Sequence, residues 1–280
     1  MKLATIRTAQ GATRAVRVED DRLVDLGHPD LGGLLAAPGW KERAAAAGPE
    51  VTTSGGVSFA PVVPRPGKVV CVGLNYRNHI LEMGRDLPEH PTLFSKYAET
   101  LLGATDDIVM PPETTQLDWE CELAIVIGQE VRRARGARAE AAIAGFATLN
   151  DVTCRDWQFR TREWLQGKNW EATTPLGPYL VTPEDLPGGV RPTLDITTVL
   201  DGETLQTDNT ADLLFDPVAL VEYISTMVTL KPGDVIATGT PGGVGHARRP
   251  ARYMTAGQTL VTEVSGLGRC ENVVVAEDVA

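Results

Sequence analysis

Three short segments open the chain, at residues 2–8, 13–18 and 22–25, and each mixes β-branched and polar residues between turn-forming ones. Such runs predict strands, so residues 1–65 read as a small strand-rich amino-terminal domain, with a short helix near 41–47. The stretch Pro61-Val-Val-Pro-Arg-Pro-Gly67 reads as a proline-punctuated linker. It leads into a predicted strand at 68–72 and a second unit over residues 66–280. Within that unit, apolar runs such as 123–127 and 147–150 are short and alternate with Gly and Pro turns more often than with long helices. That rhythm predicts an α+β body built on a rolled or barrel-like mixed sheet. Two helices are predicted. One spans 216–229, with Asp216 as N-cap, Pro217 in the first turn, and Leu220, Val221, Ile224, Met227 and Val228 on one face. The other is short and alanine-rich, at 138–144.

The polar positions next to those apolar runs carry the candidate chemistry. Asp118-Trp-Glu-Cys-Glu-Leu123 places Glu120 and Glu122 two residues apart at the head of the run 123–127. In a strand, such residues share a face, and two adjacent carboxylates at a buried strand need a positive partner. Asp151, at the end of a second apolar run, supplies a third oxygen donor. Three hard donors point to Mg²⁺ or Mn²⁺. Taken singly, each acid has a plainer explanation: a solvated strand end for the glutamates, and a helix cap before 152–160 for Asp151.

His79 and Glu82 lie three apart, the spacing of neighbours on a helical turn, and a carboxylate beside an imidazole suits it to taking a proton near neutral pH. A surface pair is the simpler alternative. Lys168 could hold a substrate carboxylate or polarise an oxyanion, or be an exposed loop lysine. The run Thr238-Gly-Thr-Pro-Gly-Gly-Val-Gly245 could present backbone N–H groups and the Thr240 hydroxyl to an anion. It lacks the Gly-Lys-Ser/Thr ending of a P-loop.

Charge narrows the partners. With 26 basic against 37 acidic residues the formal net charge is −11, and no basic cluster is denser than Arg132-Arg133-Ala-Arg135, so a nucleic-acid partner is not expected. No apolar run approaches the roughly 18 residues of a membrane span, and residues 1–10 lack a secretory apolar core. The expectation is a soluble, cytoplasmic protein with no membrane partner. Cys71, Cys121, Cys154 and Cys270 are scattered without C-x-x-C spacing and read as buried thiols.

Together these blocks resemble the fumarylacetoacetate hydrolase superfamily. The resemblance is carried by G-x-N-Y-x-x-H-x-x-E at 73–82, D-W-E-C-E-L at 118–123, N-D-V-T-C-R-D-W-Q at 150–158, G-K at 167–168, P-L-G-P at 175–178 and the T-G-T-P-G-G-V-G loop. It implies a mixed β-roll catalytic domain, a smaller amino-terminal domain and a homodimer. It also implies a divalent metal on Glu120, Glu122 and Asp151, with His79 and Glu82 as a water-activating pair on a segment that orders with substrate. Lys168 matches the active-site lysine of the family, and Gln158 and Thr240 match positions near bound ligand. Arg77, Phe94, Lys96, Tyr97 and Trp170 are candidate pocket-lining residues. Two runs depart from the family pattern, Asn169-Trp-Glu171 beside the lysine and Ala256-Gly-Gln258 in a turn. The expected activity is hydrolysis of a C–C bond in a 2-oxo acid with a second carbonyl, of the acylpyruvate or fumarylpyruvate kind met in aromatic catabolism. Isomerisation of unsaturated dioates and decarboxylation of oxaloacetate-like acids use the same enolate chemistry and are the alternative. A non-catalytic ligand-binding module is the third expectation.

Overall fold

A computed structural model describes residues 1–8, 11–20, 22–51, 56–82, 84 and 86–279, the side chain of Glu82 excepted. The first three strands form at Lys2–Arg7, Thr13–Glu19 and Arg22–Asp25. Lys2–Arg7 is apolar on both faces: Leu3 enters one core cluster while Ala4 and Ile6 enter another. Its outer neighbour is Thr13–Glu19, and on the inner side Lys2 pairs with Val181 and Leu3 with Leu180. The strands of residues 1–65 therefore continue the large sheet of the body rather than closing on themselves, and Leu3, Ala15 and Leu31 share a core with Ala124 and Val126. The prolines at 61–67 join two stretches of chain that meet again in that sheet.

In spatial order the sheet runs Arg22–Asp25, Thr13–Glu19, Lys2–Arg7, Leu180–Val181, Ile143–Asn150, Cys121–Ile127, Val235–Ala237, Val69–Gly73 and Thr92–Lys96, with Ser58–Phe59 also on Lys2–Arg7. It is mixed, because Val235–Ala237 runs parallel to Val69–Gly73 while the other pairs are antiparallel. A second sheet of five strands, Glu203–Asn209, Asp195–Leu200, Thr259–Val264, Gly268–Ala276 and Ile108–Met110, packs against it. Ile196 and Val264 of this sheet share a core cluster with Leu123, Ile125 and Phe146 of the first. Polar bonds cross the same contact: Asn150 Nδ2 donates to Thr262 Oγ1 at 2.9 Å, and Thr148 Oγ1 donates to the Gly268 carbonyl at 2.9 Å.

Cys121–Ile127 and Ile143–Asn150 sit at the centre and are buried along their whole length. Strands covered on both faces read as continuous apolar runs. Alternation still assigns the faces: Cys121, Leu123, Ile125 and Ile127 point to the cluster that holds Leu220, Val221 and Ile224, while Ala124 and Val126 point to that of Leu149 and Val69. Burying each large aliphatic side chain contributes about 1.5–3 kcal/mol, so the pair is a firm platform.

The long helix is Pro217–Met227, capped by Asp216 Oδ1, which accepts from Val218 N and Ala219 N at 2.9 Å. Met227 is exposed and Val228 is extended, outside the helix, so the buried face ends at Ser225 rather than running to 228. The alanine-rich helix covers Ala137–Ala141 and stops short of 144, because Ile143 already pairs with Ile127 in the sheet. A helix at Leu31–Leu35, capped by Asp30, had no periodic signal around its two glycines. All four cysteines are free and buried. Among the described residues, no helix is long and apolar enough to cross a membrane.

Candidate metal centre

Glu122 is the second residue of Cys121–Ile127, and Glu120 lies just ahead of the strand rather than inside it. The ladder nevertheless holds Glu120 in line: its N–H donates to Asn150 Oδ1 at 2.9 Å, and its carbonyl accepts from Asp151 N at 2.8 Å. Because Cys121 pairs with Asn150, the next residue on the neighbouring strand, Asp151, comes opposite Glu120. Two strand ends thus deliver three carboxylates to one point. One ligand oxygen from each of Glu120, Glu122 and Asp151 lies within 4.8 Å of the others, and all three residues are buried. Asp151 is not a helix cap, since the next helix, Arg155–Gln158, follows Cys154.

Cations stand around this cluster. Lys168 Nζ lies 2.7 Å from both Glu120 Oε2 and Asp151 Oδ2. Lys96 Nζ lies 2.8 Å from Asp151 Oδ1, and Arg155 bridges Glu120 Oε1 at 2.6 Å and Asp118 Oδ2 at 2.8 Å. Four buried acids, Asp118, Glu120, Glu122 and Asp151, therefore face three buried cations, Lys96, Arg155 and Lys168. Glu122 has no ion pair within this set, and its Oε2 accepts from Gly239 N at 2.7 Å. Burial, then the charges of Asp151 and Glu120, push the Glu122 carboxyl well above its usual range. Burial also pushes Asp151 upward, but Lys168 and Lys96 outweigh it and hold its carboxyl below the usual value. Lys168 is desolvated yet held firmly charged by Asp151 and Glu120. An all-oxygen donor set with one carboxylate lacking a counter-charge fits a hard divalent cation such as Mg²⁺ or Mn²⁺.

Within the Gly-rich loop, two amides serve the protein's own carboxylates, while Thr240 lines the cavity. Gly239 N–H is committed to Glu122, Gly245 N–H to Asp118 Oδ1 at 2.7 Å and His246 N–H to Asp118 Oδ2 at 2.9 Å. These three amides hold the protein's own carboxylates. Gly239 has φ +99°, and a Cβ there would fall 2.9 Å from the Val72 carbonyl oxygen, so a side chain would push the loop off Glu122.

A cavity of about 410 Å³ opens on the cluster, within the usual range for small-molecule sites, and its wall includes His79, Phe94, Glu120, Glu122, Arg155, Gln158, Phe159, Trp164, Lys168, Thr240 and His246. The structure thus brings together His79, Lys168, Gln158, Thr240 and the three carboxylates. His79 stands on the helix Arg77–Glu82. Its expected partner, the Glu82 side chain, lies outside the described residues. Other expectations are corrected. Lys96 is not in the wall: its ammonium is buried against Asp151 and the Val152 carbonyl. Arg77 is exposed, with Nη2 donating to the Leu214 carbonyl at 3.2 Å. Tyr97 is exposed, and Trp170 packs edge-on to Trp157 with centroids 4.9 Å apart, so neither lines the cavity.

Three residues escaped the reading of the sequence as site residues. Asp118 and Arg155 lay inside the quoted motifs but had no role assigned, because their pairing depends on the Thr153↔Asp118 register of two short strands. His246 follows the glycine loop and left no signal. Its ring lies 5.0 Å from that of Phe159, and Nδ1 is 2.9 Å from Tyr253 Oη. Burial, then Arg155, lower its pKa and favour the neutral ring.

Comparison with known proteins bears on the same residues. The profile of the fumarylacetoacetate (FAA) hydrolase C-terminal family matches residues 68–275. The Homo sapiens protein named oxaloacetate tautomerase FAHD2A, mitochondrial, is 41% identical over 235 residues, spanning 83% of this chain and 74% of that protein. Among solved structures, the fumarylacetoacetate hydrolase from psychrophilic Exiguobacterium antarcticum superposes with a TM-score of 0.87 at 30% identity, covering 99% of this chain and 100% of that one. The 5-carboxymethyl-2-hydroxymuconate delta-isomerase from Mycobacterium smegmatis superposes with a TM-score of 0.80 at 31% identity, covering 100% of both chains.

Proposed function

The chain belongs to the fumarylacetoacetate hydrolase family, and on that premise we propose a divalent-metal-dependent enzyme that forms the enolate of a small 2-oxo acid, in the first place a tautomerase of oxaloacetate-like acids. The observation that carries this reading is the buried carboxylate triad, two of whose members, Glu120 and Glu122, line a cavity whose wall also holds His79. Glu120, Glu122 and Asp151 would hold Mg²⁺ or Mn²⁺, which when bound supplies Lewis-acid polarisation of the 2-oxo and carboxylate oxygens.

The chain's own residues would do the rest. The His79 imidazole would take the proton from the carbon beside the 2-oxo group, leaving the electron pair on the enolate oxygen, and return the proton there. Lys168, held charged by Glu120 and Asp151, would keep Asp151 ionised while its positive field stabilises the negative charge that develops on the substrate oxygen. Arg155 Nη1 donates to Gln158 Oε1 at 2.9 Å, which leaves the Gln158 amide NH₂ to face a substrate oxygen. The name of the FAHD2A relative supports tautomerisation. Hydrolysis of an acylpyruvate, the leading expectation from the residues, is the second reading, favoured by a wall histidine able to deprotonate water.

The assay is Mg²⁺-loaded protein with oxaloacetate and, separately, acetylpyruvate. The expected outcome is fast enol–keto conversion of oxaloacetate that slows about 10²–10⁴-fold in His79→Gln. Cleavage of acetylpyruvate without that conversion would reject the first reading in favour of the second. Mn²⁺ binding with neither activity would leave a ligand-binding module. We also propose the homodimer that the family resemblance implies. Light scattering at twice the chain mass would support it, and a monomer would remove it.

A further inference from the structure

Thr240 lines the cavity, and behind it stands a buried side chain that does not line it, Gln206. All the hydrogen-bonding positions of that amide are filled. Oε1 accepts from Cys121 N at 3.1 Å and from Thr198 Oγ1 at 2.7 Å. Nε2 donates to Thr240 Oγ1 at 2.9 Å and to the Pro241 carbonyl at 3.0 Å. A peptide N–H can only donate and a peptide carbonyl can only accept, so Cys121 and Pro241 determine which end of the amide is which. Thr240 Oγ1 is therefore an acceptor toward Gln206. A hydroxyl has one hydrogen, and with Gln206 occupying a lone pair that hydrogen is left for the cavity side.

We propose that Gln206 is a positioning residue for the reaction: it turns Thr240 into a dedicated hydrogen-bond donor to a negatively charged oxygen of the bound 2-oxo acid. The role rests on the functional reading above. The same device appears across the cavity, where Arg155, which can only donate, claims the carbonyl end of Gln158. Both polar side chains thus present hydrogens, the polarity that a carboxylate or an enolate requires and a cationic ligand would reject. Gln206 also reaches Cys121, the residue between Glu120 and Glu122, so its role has to be separated from mere support of the cation site.

A double-mutant cycle makes that separation. Oxalate, a stable mimic of the enolate's two oxygens, is titrated calorimetrically into the Mn²⁺-loaded protein, and Mn²⁺ affinity is measured separately without oxalate. Thr240→Val should weaken oxalate binding about tenfold or more, the scale of one hydrogen bond to a charged group. Gln206→Met should weaken it similarly, and the double variant should be no weaker than Thr240→Val alone. In a Thr240→Ser background, which keeps the hydroxyl, Gln206→Met should again cost its full factor. Gln206→Glu, near the native volume, gives a second probe if the methionine variant folds poorly. Its carboxylate would accept the Thr240 hydrogen, so oxalate affinity should fall as for Thr240→Val with no further loss in the double variant. Additive losses, unchanged oxalate affinity in both Gln206 variants, or a parallel fall in Mn²⁺ affinity would overturn the role. A wild type that binds Mn²⁺ but not oxalate overturns the functional reading and this role with it. That outcome is distinct from additive variants of a wild type that binds, which overturn the role alone.

Discussion

In the carboxylate cluster at the inner end of the cavity, Glu122 and Asp151 grow from or directly follow two strands that are buried throughout, and each carboxylate has a defined partner: Gly239 N–H for one, Lys168 and, behind the wall, Lys96 for the other. The outer wall comes from short pieces instead. Phe159 follows Arg155–Gln158 and His246 belongs to the turn Gly245–Ala247. Asp151 is 0% exposed and Phe159 is 56% exposed. The contrast separates two requirements. Charge chemistry needs ligands placed to within fractions of an ångström on rigid elements, whereas choice among substrates can be altered on loops without disturbing the sheet.

The strongest way to break this division is at the floor. Glu122→Ala should lower Mn²⁺ affinity at least about 100-fold, beyond what loss of a supporting group costs, and abolish turnover. Calorimetry showing unchanged Mn²⁺ binding would mean that the inner end is not the cation site.

A subtler change sharpens the same point through pH. The folded-state pKa of Glu122 lies above its ordinary value of 4.5. As pH rises past about 4.5, the unfolded chain releases this proton before the folded one does, so the metal-free fold loses stability. Glu122→Gln removes that loss. In chelator it should melt higher than wild type near neutral pH, and the advantage should vanish at about pH 4. Parallel melting curves at both pH values would show that Glu122 is not strained in the empty site.

The smallest effect belongs to the rim. Phe159→Ala should shift KM by less than about tenfold and kcat by less than about twofold, and Mn²⁺ affinity should not move. A large fall in kcat would erase the distinction between floor and rim.

The residues that could be read in advance are those whose chemistry is local. Glu120, Glu122 and Asp151 stood out because acids beside apolar runs are out of place, and Asp216 announced a helix by its position before Pro217. What escaped depends on contacts between distant parts of the chain. Lys96 looked like a substrate contact because its strand gives no hint that it ends beside Asp151, an arrangement created by the Val69↔Lys96 register and the packing beyond it. The amino-terminal strands looked self-sufficient because nothing in their pattern announces the Lys2↔Val181 pairing. Gln206 sat in a strand where a polar residue normally faces water, and only the facing sheet shows that it is buried among peptide groups.

The central place of Cys121–Ile127, flanked on both sides by other strands, has a kinetic meaning. Amides in such a strand exchange with solvent deuterium only through the largest opening of the molecule. The two carboxylates beside and within it are thus carried by some of the last backbone to be exposed. An ion held there and absent from the open form should slow deuterium uptake across the whole sheet, by a factor that grows with its free concentration.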